Sequence, residues 1–146
     1  MIKEIELHSE SDTIALAERV AALMEPGDIL CLYGDLGSGK TFFTKALGKA
    51  LGVNEEIDSP SFVIFKEYLS GKMPLYHLDL YRLKRESELY DLGIFDVLDS
   101  GVTAIEWPTL IENNLPYHSL DLHFEFDGTL RRVQIKPSRR MEEHFR

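Results

Sequence analysis

The eight residues Gly34-Asp35-Leu36-Gly37-Ser38-Gly39-Lys40-Thr41 follow the pattern G-x-x-x-x-G-K-[ST], and the flanking residues leave little freedom in how a chain is built around them. Before the loop, Asp28-Ile29-Leu30-Cys31-Leu32-Tyr33 is a short, nearly continuous apolar run bounded by turn residues. Such a run suits a strand covered on both faces, as in a parallel sheet. After the loop, residues 40–51 carry a helical pattern closed by Gly52. Strand, glycine loop and helix in that order turn successive backbone N–H groups inward as a cradle for anionic oxygens, and the helix N-terminus adds its partial positive charge. Lys40 supplies a mobile ammonium for β- and γ-phosphates, and the Thr41 hydroxyl is a hard oxygen ligand for Mg²⁺. A dinucleotide fingerprint is excluded, because its third glycine would fall on Phe42. The loop is read as a nucleoside triphosphate site.

The rest of the chain is organised to match. Residues 2–7 read as a short strand. From Asp12 to Met24, Ile14, Ala17, Ala21 and Met24 form a helical stripe with Leu16, Val20 and Leu23 beside them; Ser11 or Asp12 is the expected N-cap and Pro26-Gly27 the stop. Residues 62–68 and 74–81 read as strands joined around Ser70-Gly71-Lys72, 86–98 as one or two short helices interrupted by Gly93, and 102–106 as a buried strand. Pro108 opens a short helix to about Asn113. Residues 120–126 and 130–136 flank Asp127-Gly128, a hairpin signal. The expected fold class is α/β with some antiparallel pairing.

Composition narrows the function. A length of 146 residues with 44% hydrophobic and 28% charged residues is one soluble domain's worth. No run approaches the roughly 18 apolar residues of a membrane span, and the N-terminus lacks the features of a secretory signal, so no membrane partner is expected. The single cysteine, Cys31, makes neither an internal disulfide nor a multi-cysteine zinc site, which fits a reducing cytosol. The first 128 residues hold 10 basic and 23 acidic side chains, a body that repels a nucleic-acid backbone. Residues 136–146 are expected to form a flexible basic tail on a single domain spanning 1–146.

A metal-bound triphosphate needs a carboxylate at the end of a neighbouring strand. Two residues qualify. Glu106 ends the run Val102-Thr103-Ala104-Ile105, and Asp79 lies in Tyr76-His77-Leu78-Asp79-Leu80-Tyr81-Arg82, where alternation places His77, Asp79 and Tyr81 on one strand face. Ser59-Pro60-Ser61-Phe62 lies where a nucleotide-sensing switch runs in domains of this kind, with hydroxyls available to γ-phosphate or Mg²⁺. Trp107, the only tryptophan, reads as a packing residue, and His8, His118, His123 and His144 show no ligand spacing. Neither Asn-Lys-x-Asp nor Asp-x-x-Gly is present, so a GTPase is excluded and ATP is favoured by elimination.

The stretches Gly-Asp-Leu-Gly-Ser-Gly-Lys-Thr at 34–41, Ser-Pro-Ser-Phe at 59–62, His-Leu-Asp-Leu-Tyr-Arg at 77–82 and Ile-Glu-Trp-Pro at 105–108, in this order and spacing, resemble the TsaE (YjeE) family. This is the bacterial P-loop ATPase of tRNA threonylcarbamoyladenosine biosynthesis. The resemblance implies a P-loop NTPase-like fold: a mixed, mainly parallel sheet flanked by helices, with a C-terminal β-hairpin. It implies a cytoplasmic, slow, Mg²⁺-dependent ATPase acting with TsaB and TsaD, and through them with tRNA, in threonylcarbamoylation of adenosine 37 in tRNAs reading ANN codons. By position, Lys40 and the loop residues Asp35, Leu36, Gly37, Ser38, Gly39, Thr41 and Phe42 bind phosphate, and Thr41 and Glu106 hold Mg²⁺. Asp79 supports hydrolysis with Lys40, and Ser61 belongs to the switch. Ser9, Ser11, Asp12 and Thr13 approach the nucleotide base, and Arg131 reaches the nucleotide from the last hairpin. The chain departs from the family's usual pattern at Ser61, where Thr is common, and at Thr109, where an acidic residue is common. A nucleotide-gated binding module with incidental hydrolysis and a small-molecule kinase are the alternative functions.

Overall fold

A computed structural model describes residues 2–58 and 65–146. Its strands are β1 (Lys3–Leu7), β2 (Ile29–Tyr33), β3 (Phe65–Tyr68), β4 (Leu75–Asp79), β5 (Val102–Glu106), β6 (Leu120–Asp127) and β7 (Leu130–Pro137). Its helices are α1 (Glu10–Leu23), α2 (Lys40–Ala50), α3 (Ser87–Asp91) and α4 (Ile94–Val97). The seven strands form one sheet in the order β1-β7-β6-β2-β5-β4-β3. The four central strands, β6-β2-β5-β4, run parallel, while β1, β7 and β3 pair antiparallel at the flanks. The mixed α/β sheet with its C-terminal hairpin is the fold class expected from the sequence.

Alternation along the central strands divides the core into two layers. Leu30 and Leu32 of β2, Ala104 of β5 and Leu122 of β6 face α1 and α2, where Leu16, Val20, Phe43 and Leu47 meet them. Ile29 and Cys31 of β2, Ile105 of β5 and Leu78 of β4 face the other way, toward Leu89 of α3 and Ile94 of α4. Burial on both faces accounts for the unbroken apolar run that precedes the glycine loop.

Several local expectations are corrected. The N-cap of α1 is Ser9, not Ser11 or Asp12: its backbone is extended, and its hydroxyl accepts a hydrogen bond from the Asp12 N–H at 3.3 Å. The Asp12 carboxylate in turn accepts from the His8 N–H at 2.8 Å, so starting the helix earlier satisfies two amides rather than one. The helix expected from Pro108 to about Asn113 is a single 3₁₀ turn, Pro108–Leu110. Strand β4 ends at Asp79, short of Tyr81. Residues 62–64, expected to begin a strand, lie outside the described residues.

The segment 136–146, expected to be a flexible basic tail, packs against the body instead. Met141 and Phe145 are fully buried in the layer that holds α1. Arg140 pairs with the buried Asp28, whose other carboxylate oxygen accepts from the Glu25 N–H at 2.7 Å, and the Arg19 guanidinium donates to the His144 carbonyl and lies 4.8 Å from the Phe145 ring. Two apolar side chains in a polar stretch are enough to dock it. Phe145→Ala is expected to cost about 3–5 kcal/mol in denaturant unfolding, the loss typical of a buried phenylalanine. A change within error of zero shows that the segment is not part of the core.

Candidate nucleotide-binding site

Parallel pairing brings the functional side chains to one edge of the sheet. Leu32 of β2 is in register with Glu106 of β5, and Glu106 is in register with Asp79 of β4. The glycine loop leaves β2 one residue after Tyr33, so loop, Glu106 and Asp79 cluster at the carboxyl ends of three adjacent strands, where open α/β sheets bind ligands.

The loop is shaped by close approaches. A methyl group placed on Gly34 would lie 2.6 Å from Ser38 Oγ and 2.7 Å from the Phe124 carbonyl oxygen, and Gly34 has φ +143°. At Gly37 an added Cβ would meet nothing within 4 Å, so the middle of the loop borders open space that a ligand can enter. Gly39 precedes α2 with no side-chain cap, which leaves the first amides of the helix for an anion. Ser38 Oγ is buried against Gly34 and has no hydrogen-bond partner among the described residues.

Lys40 is held inside this hollow. Its ammonium donates to the Gly34 carbonyl and stands 3.5 Å from the centre of the Trp107 ring. Trp107 is the one non-glycine residue at positive φ among those described (57°), and the Tyr81 ring packs on it at 4.9 Å. Burial lowers the Lys40 pKa from its ordinary value, opposed by Glu106, Asp79 and Asp35. Burial raises the Asp79 carboxyl, the Tyr81 N–H bonded to Oδ1 at 3.0 Å opposes this, Glu106 adds to it, and His77 and Lys40 lower it.

Glu106 is buried and fully engaged. Thr41 Oγ1 donates to Oε1 at 3.1 Å, and His77 Nε2 contacts Oε2 at 2.5 Å. A hydroxyl and a carboxylate oxygen side by side at the start of α2 are hard donors, the set that Mg²⁺ takes when it also binds phosphate. The residues present therefore fit the metal.

A cleft of about 360 Å³ continues from the loop between α1 and the last hairpin. Of the residues expected near the nucleotide, Ser9, Thr13, Ser38, Gly39, Phe42 and Arg131 line it, and Arg131 Cδ lies 3.9 Å from where a Gly39 Cβ would stand. Ser11 and Asp12 do not line it; Asp12 serves the helix cap. Asp35 and Leu36 are exposed on the outer turn of the loop, where the Asp35 carbonyl accepts from the Ser38 N–H at 3.1 Å. Ser61 and the rest of 59–62 lie outside the described residues. His77 and Trp107 are the partners that sequence reasoning left without a role. The alternation that places His77 on one face with Asp79 was the available signal; it does not say that His77 is fully buried there.

A second polar cluster, Cys31, His118 and Asp121, brings potential ligand atoms within 4.8 Å of one another. Both ring nitrogens of His118 are already engaged, with Asp121 Oδ1 at 2.9 Å and the Glu112 carbonyl at 2.6 Å. Burial, with Asp121 beside it, pushes the Cys31 thiol pKa up, so this is a hydrogen-bonded support rather than a ready ligand set.

The fold and the site define a P-loop nucleotide-binding protein of the α/β class. Residues 7–134 match the family model for threonylcarbamoyl adenosine biosynthesis protein TsaE. The TsaE of Bacillus subtilis (strain 168) is 47% identical over 112 residues, covering 76% of this chain and 70% of that one, and the TsaE of Aquifex aeolicus is 41% identical over 109 residues, covering 73% and 77%. The crystal structure of Bacillus subtilis YdiB superposes with a TM-score of 0.79 at 34% identity, covering 99% of this chain and 93% of that one. The chain belongs to the TsaE family.

The close approach at Gly34 is testable by itself. Gly34→Ala combines overpacking against the Phe124 backbone with an unfavourable φ and is expected to lower stability by about 1–3 kcal/mol. An unaltered melting temperature contradicts this geometry.

Proposed function

We propose that this chain binds ATP with Mg²⁺ in the cleft, hydrolyses it slowly, and serves as the accessory ATPase for threonylcarbamoylation of adenosine 37 in tRNAs reading ANN codons, working with TsaB and TsaD in the cytoplasm. The observation that carries the reading is the convergence of Lys40, Thr41, Glu106 and Asp79 on one hollow at the loop. The relatives' names support the pathway.

The residues divide the work. The loop amides and the Lys40 ammonium bind the β- and γ-phosphates, and Ser38 Oγ gains a partner it otherwise lacks. Thr41 and Glu106 hold the cation, which when bound offsets charge on the phosphate oxygens. Asp79 stands at the rim, half-buried, with Oδ1 fixed by the Tyr81 N–H. Its remaining oxygen orients the water that attacks the γ-phosphorus as the bond to the β–γ bridging oxygen breaks. Ser9, Thr13, Phe42 and Arg131 flank the nucleoside end of the cleft.

To reach phosphate, Lys40 leaves the face of Trp107, the only tryptophan. Nucleotide titration is therefore expected to change tryptophan emission in the wild type. Lys40→Ala is expected to weaken nucleotide binding about 10–100-fold, the loss of one charge-assisted contact. Wild-type affinity in that variant refutes the site. Asp79→Ala and Glu106→Ala are expected to remain folded and lose hydrolysis, and full turnover in either removes that residue from the machinery.

The decisive experiment measures ATPase rate and tRNA modification with and without TsaB, TsaD and tRNA. Stimulation of hydrolysis by the partners is the expected result. If a non-hydrolysable analogue supports repeated rounds of modification, the chain is a nucleotide-gated binding module and the ATPase reading fails.

A further inference from the structure

His77 is an unusual residue to find wholly inside a sheet. It lies on the face of β4 that looks toward α2, in register with Ala104 of β5, which presents only a methyl group and leaves the imidazole room to reach Glu106 two residues further along β5. Its Nε2 contacts Glu106 Oε2 at 2.5 Å, while Nδ1 is buried without a hydrogen-bond partner among the described residues. An apolar side chain would avoid that unsatisfied nitrogen, so packing does not explain the histidine. A carboxylate oxygen can only accept, so the contact with Oε2 is made by an Nε2–H.

Glu106 thus has two neighbours with different obligations. The Thr41 hydroxyl on Oε1 must turn its oxygen to the cation when Mg²⁺ binds, whereas the imidazole on Oε2 has no such duty. We propose that His77 is a positioning residue for magnesium, its Nε2–H holding the Glu106 carboxylate in one orientation so that Oε1 stays beside Thr41 and ready for the cation. This rests on the reading of the cleft as a Mg²⁺–nucleotide site. A carboxylate without that anchor rotates about its own bonds, and the ordering must then be supplied when the metal binds. Its effect on the metal is exerted through Glu106.

The test is the Mg²⁺ dependence of binding of a non-hydrolysable ATP analogue, followed by calorimetry. His77→Leu removes the donor and keeps the bulk. It is expected to raise the Mg²⁺ concentration needed for half-maximal enhancement about 10–100-fold, the usual effect of removing a partner of a metal ligand, with analogue affinity in EDTA unchanged. His77→Gln, whose amide Nε2 can reach the same oxygen, is expected to restore most of the response. Equal Mg²⁺ dependence in wild type and a folded His77→Leu overturns the proposal, as does an equal loss of affinity with and without metal.

A second measurement reads the wild type directly. In protein with ¹⁵N-labelled histidine, the His77 side-chain signal, identified by its absence from His77→Gln, is expected to shift when Mg²⁺ is added to the analogue complex. A signal indifferent to Mg²⁺ overturns the proposal. Failure of the wild type to bind the analogue at all refutes the nucleotide site itself, which separates the two readings.

Discussion

Leu32, Glu106 and Asp79 stand side by side across β2, β5 and β4, and the register of those three parallel strands is the constraint on which the site depends. A slip by one residue would turn every side chain of a strand to the opposite face, carrying Glu106 away from Thr41 and His77 away from Glu106. Burial on both faces holds the register, because Ile29 and Cys31 on one side and Leu30 and Leu32 on the other are all withdrawn from water. The glycine loop is therefore delivered by a strand that cannot move without disrupting two core layers. A phosphate cradle built from backbone amides needs that rigidity, since each amide contributes only if its direction is fixed in advance.

Electrostatics in the hollow follow from the same crowding. Lys40, Glu106, Asp79 and Asp35 lie near enough to influence one another, and desolvation is the largest influence on both Lys40 and Asp79. Lys40 rests on an aromatic face and a backbone carbonyl, a cation–π and dipole arrangement that partly replaces the missing solvent. Polyphosphate offers that ammonium more charge than either neighbour does. Trp107, at positive φ with its N–H on the Leu32 carbonyl at 3.3 Å, ties the aromatic face to the end of β2 as well as to Glu106.

Local chemistry was legible in the sequence where it is local in space. The glycine pattern, the apolar run before it and the Asp127-Gly128 hairpin each depend on a few adjacent residues, and the elements formed close to their expected limits. Glu106 and Asp79 were readable as candidates because each ends or nearly ends an apolar strand. Their alignment was not, since it needs the strand order β2-β5-β4, which no single segment encodes. His77 shows the same gap: alternation puts it on a face but does not say that α2 covers that face. Ser9 outcompeted Ser11 and Asp12 for the cap through hydrogen bonds that only the folded turn makes. Residues 136–146 looked like a charged tail because polar and charged side chains far outnumber Met141 and Phe145 there, yet burial is decided by what the other elements leave open rather than by average composition.

The two outermost strands have a consequence of their own. β1 shows Glu4 and Glu6 to water beside the half-covered Lys3, and β3 is four residues long with Lys66 and Glu67 at its centre. Among the described residues, a sheet with seven members still has two unpaired margins where a stranger's backbone can zip on. Charges along the β1 margin make such recruitment through that edge unrewarding.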